Sequence, residues 1–410
     1  MRSGYADSPL RDQVKTKEFM NKNIIRRLLA DVAAIAVIIA ICICIRIPSL
    51  GLNGAGDMKD QFITEEGDMY LYDMDSYYYL RRAYEYAASP DMPLITDKSK
   101  DPRLTVIKAD ETEKMAGFLP AFAAFVWRIL SVFGDISLYH VCIWLGPVIA
   151  SLAAIPAYIF VRRRTGILGA AVSGLIAGLS PAFLNHTGFA TFDTDILLCL
   201  LPLIFLLPYI EAMQEKILYK QGIWLLISAA GFFLLAASWA SYSIYYYLSI
   251  VIFILITIIC FIRNKSGFRK MLSLPELRAG AAGAVIFTAI SFILWGSINT
   301  GPITKIFTMF VSKGTGAVTV LADSAEEFPE AGRFVSELAH MPLLDGGIGS
   351  IFDVSRNGII NRLGGIVIVL VSAATIIFMV VKTLRSFGII KNRKTKQASA
   401  NNNIQDGSIY

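Results

Sequence analysis

A series of apolar runs constrains the fold of this 410-residue chain more than any other feature of its sequence. A helix of about 20 apolar residues spans the hydrocarbon core of a bilayer, and it satisfies every backbone polar group where no water is present. Because 55% of the residues are hydrophobic, the composition excludes a soluble enzyme. The sequence therefore predicts an all-α polytopic membrane protein.

The placement of basic residues orients the predicted spans. Residues 1–27 carry seven Lys or Arg, so the positive-inside rule assigns them to the cytoplasm. Later basic residues cluster at alternate span ends, which makes the net charge of +6 a topology signal and not a nucleic-acid-binding surface. The predicted spans are 28–47, 138–161, 168–184, 196–213, 223–240, 244–262, 279–298 and 363–381.

The segment 117–133 is apolar enough to be read as a further span. If it crossed the membrane, Arg162, Arg163 and Arg164 would lie on the external side, against the positive-inside rule. We therefore interpret the segment as an amphipathic helix half-buried in the outer surface. A transmembrane domain of 28–381 results, with about eight helices, external loops at 48–137, 185–195 and 299–361, and a cytoplasmic polar tail at 382–410.

Two acid-x-acid pairs lie in the predicted external loops. Asp73 and Asp75 precede three tyrosines in YLYDMDSYYYLRRAYEY, and Asp193 and Asp195 stand at the mouth of a span in FATFDTDILL. Carboxylates bind hard divalent cations, and charges at the mouth of a span are costly and tend to be functional. The two pairs indicate a shared divalent-metal site, and for Asp73 a solvated surface position is the alternative.

The residues around these acids have structural interpretations. Arg81 and Arg82 are read as structural or headgroup-binding residues, and Tyr77, Tyr78 and Tyr79 as an interfacial aromatic belt. All five cysteines fall inside apolar segments. Neither a disulfide framework nor a zinc site is therefore expected.

Three motifs together resemble the catalytic subunit of oligosaccharyltransferases, which are membrane glycosyltransferases of the C-type fold. DMDSYYYLRRA resembles the first external-loop motif of that family, HTGFATFDTDILLCLLP the second, and EEFPEAGRFVSELAH a loop segment that ends in a Ser-x-Glu type motif. The resemblance implies a C-type helical bundle that moves a glycan from a polyprenyl or dolichyl pyrophosphate carrier to asparagine at the external face.

The resemblance also implies the roles of individual residues. Asp75, Asp193 and Glu337 would bind Mg²⁺ or Mn²⁺, and Asp195 would support the catalytic site beside them. The implied partners are a lipid pyrophosphate-linked oligosaccharide, an acceptor protein with an Asn-x-Ser/Thr sequence, and membrane lipid.

The sequence departs from the family at two places. His186 stands where many members have Arg, seven residues before Asp193, and the sequence lacks the WWDYG motif that reads the Ser or Thr of the acceptor. A separate chain that carries the recognition domain is one form of the first hypothesis below. Three hypotheses stay open: a compact or split oligosaccharyltransferase, a C-type glycosyltransferase that uses a lipid-linked sugar on a non-protein acceptor, and an inactive relative that binds carrier lipid.

Overall fold

The computed structural model describes residues 9–47, 60–97, 114–263 and 274–300, except positions 66 and 185, together with two isolated positions at 370 and 374. The chain divides into two compact units. One consists of Met1–Thr257 and Leu272–Thr308, and the other of Ile258–Met271 and Met309–Tyr410. The elements that hold the candidate site belong to the first unit.

Helices dominate the described residues. The α-helices are α1 (Pro9–Arg46), α2 (Met74–Ala88), α3 (Phe118–Leu130), α4 (Leu138–Leu152), α5 (Ala154–Arg162), α6 (Ile167–Leu179), α7 (Pro181–Leu184), α8 (Leu200–Gln214), α9 (Leu218–Ser238), α10 (Ser243–Arg263) and α11 (Pro275–Trp295). The described residues also contain 3₁₀ helices at 60–62, Thr194–Leu197 and Ala240–Tyr242. A small antiparallel sheet pairs β1 (Ile95–Asp97) with β2 (Lys114–Ala116), and Thr96 lies opposite Met115.

Six stretches of described helix are long and apolar enough to cross a membrane. They are Ile24–Arg46, Leu138–Arg162, Thr194–Gln214, Leu218–Ser238, Ala240–Ile262 and Pro275–Trp295. They coincide with six of the predicted spans, so the all-α, multi-pass prediction is confirmed. The predicted span 363–381 lies outside the described residues apart from positions 370 and 374.

The predicted span 168–184 is interrupted in the structure. Helix α6 ends at Leu179, and Ser180 adopts an extended backbone with ψ 128° before α7 begins at Pro181. A proline disfavours the helical conformation of the residue before it, which explains the break. The 13 residues of α6 rise about 20 Å, less than the roughly 30 Å of a hydrocarbon core. The predicted span 168–184 therefore consists of two helices separated by a break, and not of one continuous helix.

The predicted external loop 48–137 contains more regular structure than expected. Its described part holds α2, the small sheet and α3. Arg128 of α3 donates hydrogen bonds to the carbonyls of Tyr86 and Ala87, at 3.1 and 2.9 Å, and so satisfies the C-terminal end of α2. Helix α3 has 13 residues, a length compatible with the interpretation that it does not cross the membrane by itself.

One end of the first unit collects paired charges, and we call it the basic end. Asp31 of α1 accepts a hydrogen bond from Arg162 Nε at 2.7 Å. Glu211 of α8 lies 2.6 Å from Arg164 Nη1 and 3.4 Å from Arg163 Nε. The three arginines that were predicted to share one side of the membrane therefore meet acids from two other spans at the same end.

A glutamine joins three further helix ends at the basic end. Gln221 of α9 donates from Nε2 to the carbonyls of Ala212 and Pro275, at 3.0 and 2.9 Å, and its Oε1 accepts from Arg278 Nε at 3.0 Å. These bonds tie α8, α9 and α11 together beside the basic residues.

The opposite end holds both acid motifs, and we call it the acid end. Lys114 Nζ donates to the carbonyl of Trp295 at 2.8 Å, and Trp295 Nε1 donates to the carbonyl of Ala236 at 2.9 Å. The Tyr78 hydroxyl lies 2.7 Å from Met115 Sδ, which connects α2 to β2. Segments that were predicted to lie on one side of the membrane therefore meet at the acid end.

Aromatic rings fill the contact between α8, α9 and α11. Phe205, Phe232 and Phe287 are fully buried, and their ring centroids lie 4.8 to 5.1 Å apart. Gly231 allows the close approach of α8 and α9, because an added Cβ would lie 2.9 Å from Phe205 N. Small residues at such crossings let helices pack closely in a medium without a hydrophobic driving force.

Candidate active site

The first acid motif begins α2. Asp73 is the N-cap residue, and its Oδ1 accepts a hydrogen bond from Ser76 N at 2.7 Å. Such a cap satisfies one of the backbone donors at a helix start. Asp75 lies in the first turn of the same helix with an exposed side chain. Asp73 thus has a structural partner, whereas the side chain of Asp75 is exposed.

The second acid motif follows a strained turn. Ala190 is completely buried and adopts φ 64°, in the left-handed region that costs an L-residue about 1–2 kcal/mol. Asp193 then caps the 3₁₀ helix Thr194–Leu197, and its Oδ1 accepts hydrogen bonds from the backbone N and the hydroxyl of Thr194. The surrounding packing holds a costly backbone conformation just before the acid pair, as is common at functional sites.

Two hydrogen bonds join the motifs. Phe192 N donates to the buried Ser76 Oγ at 2.9 Å, across 116 residues of sequence. Tyr72 N donates to the carbonyl of Ala190 at 3.0 Å. The start of α2 and the turn before Asp193 are therefore one structural unit.

The joined motifs bring several carboxylates into mutual repulsion. Burial, together with the negative charges of Asp195 and Asp75, raises the pKa of Asp193 to about 7, against the hydrogen bonds from Thr194 that lower it. Burial, followed by the charge of Asp193, raises the pKa of the Tyr79 hydroxyl. Asp75 and Asp195 therefore both lie within electrostatic range of Asp193, and these are three of the four predicted site residues.

A histidine accompanies Asp195. His186 Nδ1 lies 3.5 Å from Asp195 Oδ2, and the histidine side chain is about half exposed. The residue that departs from the family pattern is therefore close to the acid pair. A protonated His186 would place one positive charge beside Asp195.

The donor set agrees with a hard divalent cation but is not a complete cage. Within the described part of the chain, no group of three His, Cys, Asp or Glu side chains is arranged to hold a metal ion. Glu337, the fourth predicted site residue, lies outside the described residues. Carboxylates from the two joined motifs fit a cation such as Mg²⁺, which commonly takes one or two protein carboxylates and completes its shell with water and substrate phosphate.

The basic and aromatic neighbours of Asp75 support the framework. Arg82 is buried and donates to Glu85 Oε2 at 2.8 Å and to Thr96 Oγ1 at 2.9 Å, in agreement with its structural interpretation. Tyr77 accepts a hydrogen bond from Leu71 N at 3.2 Å. Tyr79 lies close enough to Asp193 for that charge to shift its pKa. Tyr79 therefore lies beside the second acid motif, whereas the aromatic belt stays a prediction.

Sequence reasoning missed two residues that shape the site. Ser76 carries no signal beyond its place three residues after the capping Asp73, and that spacing predicts a cap but not a bond to Phe192. Gly146 of α4 permits close contact with the second motif, because an added Cβ would lie 2.5 Å from the carbonyl oxygen of Thr191. A single glycine in an apolar helix does not reveal such a contact.

Fold and site together define a multi-pass helical membrane protein with a carboxylate site built from two distant motifs. The family model described as "Oligosaccharyl transferase STT3, N-terminal" matches residues 43–398. The chain belongs to this family, and the resemblance drawn from its motifs is confirmed.

Relatives with assigned names come from archaea. The chain is 27% identical over 268 residues to a dolichyl-phosphooligosaccharide-protein glycotransferase of Methanocaldococcus jannaschii, a match that covers 58% of this chain and 28% of the relative. It is also 27% identical over 221 residues to the protein of the same name from Methanococcus voltae, with 51% and 24% covered. The chain thus spans only about a quarter of the length of these relatives.

A solved structure gives a similar comparison. The archaeal oligosaccharyltransferase AglB from Archaeoglobus fulgidus, in complex with an inhibitory peptide and a dolichol-phosphate, matches 88% of this chain and 38% of its own length. The sequence identity is 16% and the TM-score 0.47.

Proposed function

We propose that this chain forms the membrane catalytic part of an oligosaccharyltransferase, which moves a glycan from a polyprenyl or dolichyl pyrophosphate carrier to an asparagine of an acceptor protein. The observation that carries the proposal is the bond from Phe192 N to Ser76 Oγ, which holds the two acid motifs together. Family membership and the names of the archaeal relatives support the same reaction.

Electrostatics favours a metal ion in this reaction. A carrier pyrophosphate would be repelled by the carboxylates of Asp75, Asp193 and Asp195, since like charges a few ångströms apart cost several kcal/mol in a partly buried site. A divalent cation, Mg²⁺ or Mn²⁺, would supply the charge that neutralises the departing pyrophosphate. In this proposal Asp75 and Asp193 hold the cation, and Glu337 completes the protein ligands.

The carboxylates also suit the acceptor. The nitrogen of an asparagine amide is a weak nucleophile because its lone pair is delocalised into the carbonyl, as in a peptide bond. The exposed carboxylate of Asp75 can accept a hydrogen bond from the amide N–H and hold the nitrogen toward the sugar. Asp193 is fixed by its cap to Thr194, so it keeps its position while substrates arrive, and Asp195 supports it from the next turn.

The site would face the non-cytoplasmic side. The basic end carries Arg162, Arg163 and Arg164 and the residues around Lys216 and Lys220, which the positive-inside rule places in the cytoplasm. The acid end is the opposite end of the same helices. A lipid-linked glycan and its acceptor would therefore meet at the external membrane boundary.

The direct test is a transfer assay. Purified protein is incubated with a lipid pyrophosphate-linked oligosaccharide, a fluorescent Asn-x-Thr peptide and Mn²⁺, both alone and with a candidate recognition chain. We expect glycopeptide that disappears with EDTA and returns with excess Mn²⁺ or Mg²⁺. A peptide with Gln in place of Asn is the matched control.

The outcomes separate the open hypotheses. Consumption of the lipid-linked glycan without glycopeptide would support a non-protein acceptor. No consumption under any of these conditions would contradict the proposal and favour a lipid-binding relative without catalysis.

Metal binding can be measured without turnover. A ligand that binds only the folded state raises the thermal unfolding midpoint. Mn²⁺ should therefore raise the midpoint of the wild-type protein but not that of Asp75→Asn or Asp193→Asn. An equal rise of the unfolding midpoint in all three proteins would show that Mn²⁺ binds at a site that does not include Asp75 or Asp193.

A further inference from the structure

An apolar groove lies in the first unit, remote from the acid motifs. It has a volume of about 500 Å³ and opens between α5, α8 and the start of α9. Its lining is apolar along most of its length and ends at Arg163, Glu211 and Trp224. The groove therefore belongs to the basic end and shares no residue with the candidate active site.

The length of the groove corresponds to one leaflet of a bilayer. Its lining extends from Leu152 to Arg163 on one side and from Leu200 to Glu211 on the other. Eleven residues of helix rise about 16 Å, roughly half of a 30 Å hydrocarbon core. Along α5 the groove thus extends from about mid-membrane depth to the charged boundary at the basic end.

The mouth of the groove is positively charged. Glu211 is shared by two guanidinium groups, those of Arg163 at 3.4 Å and Arg164 at 2.6 Å. Glu215 and Lys220 lie close by, since Lys220 and Arg163 both lower the pKa of the Glu215 carboxyl after its backbone hydrogen bonds. These five groups carry three positive and two negative charges.

One arginine at the mouth is placed to meet a ligand. The Arg163 side chain is 47% exposed and contacts Glu211 through Nε. Its guanidinium carbon lies 5.0 Å from the centroid of the Trp224 ring. A guanidinium recognises phosphate through paired N–H donors, and a tryptophan at this depth is typical of the membrane interface.

We propose that the groove binds an anionic phospholipid of the leaflet at the basic end, with one acyl chain in the groove and the phosphate at Arg163. The apolar lining excludes a polar ligand, the depth matches a single acyl chain, and the excess positive charge selects an anionic headgroup over a zwitterionic one. This site is independent of glycan transfer, so its test does not depend on activity.

Native mass spectrometry provides that test. The full chain is reconstituted with equal amounts of phosphatidylglycerol and phosphatidylcholine, extracted in mild detergent, and its retained lipids are counted. We expect one phosphatidylglycerol per chain in preference to phosphatidylcholine. The preference should fall about fivefold in Arg163→Gln, since one basic residue contributes roughly 1 kcal/mol at an anionic surface, and all retention should fall in Ile155→Trp, which fills the groove.

Matched controls make the proposal falsifiable. Arg26→Gln removes an exposed arginine of the same predicted membrane face that does not line the groove, and it should keep the preference. Arg163→Lys retains the charge and should keep most of the binding, which guards against a folding defect in Arg163→Gln. Equal retention of both lipids, an equal loss in Arg26→Gln, unchanged retention in Ile155→Trp, or preferential retention of an added polyprenyl phosphate would each overturn the proposal.

Discussion

At the basic end Glu211 lies 2.6 Å from Arg164 and 3.4 Å from Arg163, whereas at the acid end the negative charges of Asp195 and Asp75 act on Asp193. The pKa values of neighbouring groups differ accordingly. Backbone hydrogen bonds and nearby Lys220 and Arg163 lower the pKa of Glu215, while burial and like charges raise that of Asp193 to about 7.

This contrast distinguishes acids that stabilise the fold from acids that are candidates for a catalytic role. Carboxylates that meet guanidinium groups at hydrogen-bond distance tie helix ends together, and their loss should lower stability. Carboxylates that are crowded together and partly buried oppose folding, and proteins retain such arrangements mainly at functional sites. Substitutions at the acid end should therefore lower activity and not stability, and substitutions at the basic end should lower stability and not activity.

The largest effect is expected at the acid end. Asp75→Asn and Asp193→Asn should each lower glycopeptide formation on the order of a hundredfold or more, since even indirect supporters of a metal site contribute about 10–100-fold. Neither should lower the thermal unfolding midpoint, because each removes a source of repulsion. The transfer assay and a melting curve measure both quantities.

A matched control is available at the same end. Asp135 is exposed in the turn between α3 and α4, and Asp135→Asn should leave the rate unchanged. If it lowered the rate as much as Asp193→Asn, general surface charge and not the acid site would explain the loss.

The next effect concerns close packing beside the second motif. Gly146→Ala should lower the free energy of unfolding by about 3 kcal/mol, the upper end for overpacking, since the new Cβ would meet the backbone of Thr191 and Gly188. Chemical denaturation in detergent measures the change. Gly222→Ala, where an added Cβ meets nothing within 4 Å, should instead raise stability by about 0.5–1 kcal/mol. A loss at both positions would refute the packing argument.

At the basic end we expect the opposite pattern, a loss of stability without a loss of activity. Glu211→Gln should lower the free energy of unfolding by about 2 kcal/mol, between the values for exposed and buried ion pairs, because two half-exposed guanidinium groups lose one shared carboxylate. The specific activity of the folded protein should stay within about twofold. A large loss of activity in Glu211→Gln with unchanged stability would show that the basic end does not serve stability alone.

The smallest effect is expected at the link between the acid motifs. Ser76→Ala leaves the N–H of Phe192 without its acceptor and should cost about 1 kcal/mol of stability. Because the two carboxylates are then held less firmly, the transfer rate should also fall by roughly five- to tenfold. Ser131→Ala removes an exposed serine at the end of α3 and serves as the control. Equal rates for the two variants would show that the Ser76 bond does not position the acids.

The fold was predictable to the extent that it depends on local composition. Six spans follow from apolar length, and their alternation follows from the positions of Arg162, Arg163 and Arg164. The break at Ser180 was also predictable, because Pro181 follows that residue. A hydropathy pattern alone does not detect such a break. Helix α2 was predictable in part, because Asp73 is a good N-cap residue.

The candidate site was predictable residue by residue but not as an arrangement. Asp193 and Asp195 stand out because charges at the mouth of a membrane span are costly, and Asp75 stands out through the motif that resembles the family. Their proximity depends on a bond between Ser76 and Phe192 across 116 residues, and no local pattern encodes such a pairing. The groove at the basic end likewise could not be predicted. Its three helices are apolar as any membrane span is, and this pattern does not show which apolar residues line a groove.

The sequence by itself determined that this chain crosses a membrane several times and that two acid pairs lie outside the predicted spans. The length of an apolar run and the position of a charge within it can be read from a single segment. The thickness of the bilayer sets the length of apolar sequence that every span needs. The tertiary structure decided which charges face each other. It paired Glu211 with arginines and placed Asp193 beside other acids, because packing and long-range hydrogen bonds, not composition, set the distances between residues from different helices.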